Sequence, residues 1–402
     1  MTRWILFIGI VLFVDFYVYQ SIKTISKNRI ILILYWLVSI VLLANFVYRF
    51  ITFDRSLGIS QPLMWSFGLI VLSIVPKIGI LLVLFGEDVF RVFKMALGYF
   101  TSDSSIHLYE RREFVSKLAL GIAVIPFASI LYGLTRGKYN YQVINHTLFF
   151  EDLPSAFNGF KLTHISDIHS GSFDNEDKIA KGIELINEQK SDVILFSGDI
   201  VNSKAEEMDP WIPHFNKLKA KQGKFSVLGN HDYGEYVHWN TSEEKERNFQ
   251  AIKDIHPKIG FDLLLNESIY INKDNERIAL VGVENWGTRF KKVGDLNKAS
   301  SDVKKEDFKI LLSHDPSHWD SEVKNHEKNF HLTLSGHTHG MQFGIEIPGI
   351  KWSLAQYAYK QWAGIYKSLN QYINVNRGFG FLAFPGRVGI WPEITVITLK
   401  KK

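Results

Sequence analysis

The sequence predicts a layered α/β domain preceded by an all-α transmembrane region of about four helices. Three observations predict it. Four long apolar stretches fill the first third of the chain, and charge concentrates only after about Tyr139. Beyond that point short apolar strand patterns alternate with helical ones, as in stacked sheet and helix layers. Five of those strand patterns end in a polar cluster: Asp167/His169, Asp199, Asn230/His231, His314 and His337/His339.

A bilayer core needs about 20 apolar residues as a helix. Residues 4–22, 30–48, 64–85 and 114–134 qualify, so 1–138 reads as a membrane region and 139–402 as a soluble domain. The first stretch carries Asp15, and the third carries Pro76 and Lys77. Charges at that depth face a bundle interior, and these two have each other as the simplest partner. A transport pathway would carry more intramembrane polar groups. Lys23, Lys27 and Arg29, with Arg91, Lys94, Arg111, Arg112 and Lys117, outweigh Arg3, Arg49, Arg55, Arg136 and Lys138 on the other side. The heavier set belongs in the cytoplasm, which places the soluble domain outside it. The stretch Glu110-Arg111-Arg112-Glu113-Phe114, before an apolar run, resembles a twin-arginine export signal, although it is internal. A plain positively flanked anchor has the same pattern. There are no cysteines, so disulfides and thiolate metal sites are excluded. The net charge of +5 is spread over loops and helix flanks, and no nucleic-acid stripe is evident.

In the soluble half, 143–150 alternates as a strand, and 160–166 is a short strand ending at Asp167-Ile168-His169. A helix is expected over 174–189, with Ile179, Ile183 and Ile186 on one face and Asp174 as a candidate N-cap. Strand 192–197 ends at Gly198-Asp199, and 210–219 reads as a helix. Strand 224–228 ends at Gly229-Asn230-His231-Asp232, before a charged helix over 242–255. Strands follow at 261–265, 268–272, 277–283 and 308–313, the last ending at His314 and leading to a short helix over 317–324. The run 330–334 precedes Ser335-Gly336-His337-Thr338-His339-Gly340. Histidines two apart leave a strand end on the same side, and flanking glycines let the backbone turn there.

Carboxylates, imidazoles and one amide, without sulfur, suit borderline-to-hard divalent ions such as Mn, Fe, Zn or Co. The donors are too many for one ion. Two ions sharing a carboxylate are the layout for in-line displacement at phosphorus, and a histidine that binds no ion can protonate the leaving oxygen.

The series Asp-x-His, Gly-Asp, Gly-Asn-His-Asp, His, Gly-His-x-His resembles the calcineurin-like metallophosphoesterase superfamily over roughly 158–402. The resemblance implies a four-layer αββα sandwich of two packed sheets. It implies that Asp167, His169 and His339 hold one divalent ion, Asn230, His314 and His337 a second, and that Asp199 bridges them. His231 takes the place of the general acid, with Asp232 as its orienting partner. The membrane-anchored layout resembles a bacterial branch with exported phosphoesterases and relatives of UDP-2,3-diacylglucosamine hydrolases. The expected activity is hydrolysis of a phosphodiester or pyrophosphate, in a lipid-linked or cell-envelope substrate, at an extracytoplasmic site on the bilayer. A nuclease or nucleotide phosphodiesterase uses the same chemistry, but a basic stripe is missing. A non-catalytic sensor or scaffold would not need His231.

Other residues have simpler roles. His164 lies within a strand and reads as packing, and His238, His256, His318, His326 and His331 read as surface or structural. Asp315 either orients His314 or caps the next helix. The aromatic tail, including Trp352, Tyr357, Tyr359, Trp362, Phe379, Phe381 and Phe384, either packs the sheets or forms an apolar rim for a lipid. Arg289, Lys291, Lys292 and Arg377 are candidates to meet a phosphate.

Overall fold

The computed structural model describes residues 2–101 and 108–402, and the side chains of 98–111 lie outside the described set. The chain divides into two compact units, 1–53 with 61–135, and 54–60 with 136–402.

The first unit is four helices: α1 (Thr2–Ile25), α2 (Arg29–Ile51), α3 (Gln61–Thr101) and α4 (Leu108–Thr135). Each contains a window long and apolar enough to cross a membrane. Asn28 caps α2 by accepting the Ile30 amide. Val11, Leu43, Phe46 and Ile70 pack between helices, as do Val18, Ile80, Leu84 and Ala119. Lys77 Nζ lies 2.6 Å from Asp15 Oδ1 and also donates to Ser39 and Ser73, so the buried Asp15 and the half-buried Lys77 compensate each other. Helix α3 runs well past the expected end at 85. Its acidic pair Glu87 and Asp88 is neutralised by Arg112, and Tyr17 donates to Asp88. Arg112 is the second arginine of the export-like motif, and the Arg111 side chain lies outside the described residues.

The second unit contains β1 (Gln142–Phe150), β2 (Lys161–Ile165), α5 (Glu176–Glu188), β3 (Val193–Phe196), α6 (Ile212–Phe215), β4 (Lys224–Ser226), α7 (Ser242–Lys258), β5 (Asp262–Leu263), β6 (Glu267–Lys273) and β7 (Glu276–Gly282). It continues with α8 (Leu296–Ala299), β8 (Lys309–Leu312), α9 (Ser317–Ser321), β9 (Leu332–Ser335), β10 (Gly344–Ile347), β11 (Ile350–Ser353), β12 (Gly364–Ser368), β13 (Gln371–Val375) and β14 (Glu393–Lys401). Two six-stranded sheets form, ordered β1-β14-β2-β3-β4-β5 and β12-β13-β9-β8-β7-β6, with β10-β11 as a separate pair. Strands β2 to β5 run parallel, as do β7, β8, β9 and β13.

Period-two alternation packs the sheets together. Ile278 and Leu280, Ile310 and Leu312, and Leu332 and Leu334 face a core shared with Leu162, Leu195, Phe225 and Ile397 of the other sheet. The alternate residues Ala279, Val281, Leu311, Ile373 and Val375 pack under Leu296, Trp319 and Val323 on the helical side. This is the two-sheet, helix-flanked sandwich that the sequence implied.

Two helices differ from expectation. Asn175, not Asp174, caps α5, because Asp174 is held by Lys138 Nζ at 2.5 Å and Tyr139 Oη at 2.8 Å. Helix α6 is a single turn instead of spanning 210–219. Asn187 of α5 takes the Lys217 carbonyl and the Lys219 amide, which ends helical hydrogen bonding there.

Candidate metal centre

The polar clusters leave the carboxyl ends of β2, β3 and β4 in one sheet and β8 and β9 in the other. Backbone bonds tie these ends together. The Asp167 amide donates to Gly198 O at 2.9 Å, and the Gly336 amide to His314 O at 2.9 Å. Across the two sheets, the His337 amide donates to both Asp167 carboxylate oxygens at 3.0 Å. His314 Nδ1 lies 2.8 Å from Ser197 O, which fixes that ring. Asp167, His169, Asp199, His337 and His339 all adopt positive φ, between 47° and 70°. That conformation costs about 1–2 kcal/mol per non-glycine residue. Such strain is tolerated where surrounding structure over-determines it, often at functional sites. Gly340, at φ +53°, does supply a turn. Gly336 serves close approach instead: a Cβ there would lie 1.6 Å from Ser166 Oγ and 2.2 Å from Asp167 Oδ2.

The tips converge into two triads, Asp167/His169/His339 and Asp199/His314/His337, each with its donor atoms within 4.8 Å of one another. Asp199 Oδ2 lies 3.1 Å from His314 Nε2 and 3.6 Å from His169 Nε2, so this carboxylate faces both groups. His339 Nε2 is 3.2 Å from Asp167 Oδ1. Asn230 Oδ1 is 2.7 Å from His337 Nδ1, which places the amide with the second triad. All seven expected donors are therefore together.

Both ring nitrogens of His169 and Nε2 of His339 are buried without a hydrogen bond. An unsatisfied buried polar group costs about 1–3 kcal/mol. Lone pairs left bare beside two carboxylates are what a divalent cation requires, so the residues present fit metal ions. Burial opposes charge on Asp199, but His314 and His231 outweigh it and hold the carboxyl well below its usual range. Burial likewise opposes Asp167, which His339 pulls down. Burial depresses His337 to about 4 and His169 far below its ordinary value. Ionised carboxylates beside neutral His169 and His337 suit metal ligation. At His314 burial opposes charge, but Asp199 outweighs it and raises the ring to about 10, so an ion taking that nitrogen would displace a proton.

Comparison with known proteins bears on the same residues. Residues 160–341 match the family described as Calcineurin-like phosphoesterase, and 2–138 match the one described as Probable Calcineurin-like phosphoesterase, transmembrane domain. The uncharacterized metallophosphoesterase YkuE of Bacillus subtilis is 30% identical over 275 residues, covering 67% of this chain and 90% of that one. The chain is a calcineurin-like metallophosphoesterase. A transmembrane protein with metallophosphoesterase domain from Danio rerio is 26% identical over 287 residues, 69% of this chain and 62% of the fish protein. A metallophosphoesterase from Aquifex aeolicus is 28% identical and covered over 99% of its length. The chain is thus a metal-dependent phosphoric ester hydrolase with a membrane region of four helices.

In this metallophosphoesterase the groups around the triads differ in part from the sequence reading. Asp232 does not orient His231. Its carboxylate accepts the backbone amides of Asp199, Ile200 and Gly229 at 2.8–2.9 Å, because the two loops press together there. His231 instead has Nδ1 2.7 Å from Asn202 O, and Tyr236 stacks on its ring at 4.2 Å. Asp315 does not orient His314 either. It accepts the Ser317 amide at the start of α9, and its Oδ2 lies 3.6 Å from His337 Nε2. Tyr359 Oη lies 2.8 Å from that same Nε2. His164 is internal: it meets Ser197 Oγ at 2.9 Å and Asn374 Nδ2 at 2.8 Å, and burial depresses it to about 4.

Of the four cationic candidates, Arg377 is buried between Glu346 and Glu393 and is not available to a substrate. Lys291 pairs with Glu235, and Lys292 lies over the Trp286 ring. Arg289 remains, in an open recess of about 520 Å³ with Asn230, Tyr236 and Phe290. Sequence reasoning missed Arg387, which is fully buried with Nη2 3.1 Å from His339 Nδ1. No motif marks it. In the sequence Tyr359 is one tail aromatic among many.

Proposed function

We propose that this chain is a membrane-anchored, extracytoplasmic phosphoesterase with a binuclear metal centre, acting on phosphodiester or pyrophosphate bonds of a lipid-linked or cell-envelope substrate. The observation that carries it is the pair of His/Asp triads with the Asp199 carboxylate facing both. In this reading Asp167, His169 and His339 hold one divalent ion, and Asn230, His314 and His337 the other. Asp199 serves both. Ions held there supply Lewis-acid stabilisation of charge on phosphate oxygens.

The remaining work falls to the chain. Three backbone amides on Asp232 clamp the loop that carries Asp199 against the loop that carries Asn230. Ser197 O takes His314 Nδ1–H, which leaves Nε2 toward Asp199. Asn202 O takes His231 Nδ1–H, so Nε2 is the atom that can carry a proton to the leaving oxygen. Arg289 at the recess supplies positive charge for the substrate's non-reacting phosphate oxygens. The Lys/Arg distribution supports an extracytoplasmic site.

The test is turnover of a generic aryl phosphodiester by purified full-length Asp199→Asn and His231→Ala variants, with metal content measured on the same samples. Both should lose turnover, and only Asp199→Asn should lose metal. Full activity in both variants overturns the roles. For topology, a reporter fused after Lys402 that works only in the cytoplasm would reverse the orientation.

A further inference from the structure

The strands β10 and β11 form a two-residue-turn hairpin with its polarity inverted. Ile345 pairs with Trp352 and Ile347 with Ile350, so these four side chains share one face. That face is open to solvent: the four are 39–55% exposed. Glu346 and Lys351 pair across the other face. That polar face meets the rest of the unit, although both side chains stay partly exposed. Glu346 grips Arg377 through two bonds of 2.5 and 3.0 Å. Lys351 Nζ donates to Ala363 O at 2.5 Å and lies over the Trp362 ring. The base is anchored, with the Gly344 amide on Val388 O at 2.9 Å and Ser353 Oγ on Gly340 O at 2.6 Å.

A hairpin in water keeps its polar residues outside and protects its edges with charge. An isolated two-stranded ribbon is marginal in water even then. Here the hydrophobic face is outside, and Tyr357, 75% exposed, adjoins it at Trp352. A contiguous exposed apolar patch rimmed by polar groups marks an interaction site.

We infer that this face of the β10–β11 hairpin seats in the lipid bilayer that holds the chain's own helices. Two observations choose lipid over another occupant. First, no spacer separates the soluble unit from the spans. Helix α4 ends at Thr135, and the unit's first helical turn begins at Gly137. Residues 54–60, between α2 and α3, also belong to that unit. The chain therefore enters the unit from the carboxyl ends of α2 and α4, which lie on the same side of the membrane. A doubly tethered unit meets lipid at a far higher effective concentration than any soluble partner.

Second, the chemistry of the face is interfacial. Aliphatic Ile345, Ile347 and Ile350 stand beside Trp352 and Tyr357, whose indole Nε1 and Oη lie 3.4 Å apart. Trp and Tyr favour the headgroup level, where one end is apolar and the other wet. Neither strand directs a carboxylate to that face. Four-residue strands span about 13 Å, which suits burial about 5–10 Å into the headgroup and acyl boundary. The identity of the cleaved ester does not enter. The hairpin lies in the chain between His339 and Tyr359, which reaches His337 Nε2.

The chain has no cysteine, which makes the test direct. Single-cysteine full-length variants Ile347→Cys and Ile350→Cys carry a fluorophore and are reconstituted in phosphatidylcholine–phosphatidylglycerol bilayers containing shallow nitroxide-labelled lipid. The control is Leu369→Cys in the turn between β12 and β13, where the native residue is 85% exposed. Only variants with the parent unfolding midpoint are read, and either hairpin position reports the same surface. The expected result is quenching several-fold stronger at 347 or 350 than at 369. Equal or absent quenching overturns the inference. A hairpin label shielded from aqueous quencher but not from protein concentration effects, and unquenched by the lipid, also overturns it and assigns the face to a second copy.

Discussion

Replacing Asp232 separates two accounts of how the site is built. If its carboxylate clamps two loops, Asp232→Ala strands three buried amides, those of Asp199, Ile200 and Gly229. Each unsatisfied group costs about 1–3 kcal/mol, and partial relaxation brings the total to about 3–5 kcal/mol. For a unit of this size that is about 6–20 °C in unfolding midpoint, at roughly 2–4 °C per kcal/mol. Asp232→Asn keeps one acceptor oxygen but sets an NH2 against an amide, so it should fall between. Burial and the Asp199 charge already push the Asp232 carboxyl up to about 7, so the clamp has little to spare. The assay is thermal unfolding of the full-length protein in detergent, with the pH–rate profile of an aryl phosphodiester on the same preparation. The clamp predicts a lower midpoint and metal loss with an unshifted acid limb for any residual activity. A variant as stable as the parent, with that limb moved, would show that Asp232 acts through His231.

Gly336→Ala should abolish metal binding and cost about 1–3 kcal/mol by overpacking, since its Cβ has Ser166 and Asp167 atoms within 2.2 Å; retained metal content would contradict the close-approach reading. Tyr359→Phe should weaken metal affinity about 10–100-fold, the usual effect of losing a hydrogen bond behind a ligand, and unchanged affinity in a metal titration would remove Tyr359 from the site. His256, buried against Phe196 and bonded to Ser226 Oγ, is depressed by burial from 6.5 to about 3. Above pH 6.5 both folded and unfolded states are neutral there. Below it only the unfolded state takes the proton, so stability falls by about 1.4 kcal/mol per pH unit until about pH 3. His256→Phe should make denaturant midpoints less steep across pH 4–6, and an unchanged slope would contradict the assignment.

The five strand tips could be found from sequence because strand ends are local events. An apolar run followed by Gly-Asp or Gly-His-x-His needs no knowledge of distant packing. Their convergence followed from parallel strands presenting carboxyl ends to one edge. The orienting groups could not be read the same way. His231 is held by the Asn202 carbonyl, and His314 by the Ser197 carbonyl, and main-chain acceptors carry no residue-type signal. Adjacency misled at Asp232, where a neighbour in sequence at a tight turn points to another loop; at Asp315 the helix-capping alternative is the one realised. Arg377 showed the converse limit, since a cation suited to phosphate was already committed to Glu346 and Glu393. The end of α6 depended on Asn187, more than twenty positions earlier in the chain.

The most direct test of the central claim is metal stoichiometry, by elemental analysis of purified full-length protein with His169→Ala and His337→Ala alongside. Two divalent ions per chain are predicted for the parent, with each variant losing the ion of its own triad and retaining the other. A parent that binds a single ion at saturation, or variants that both keep a full load, would contradict a two-ion centre built around Asp199.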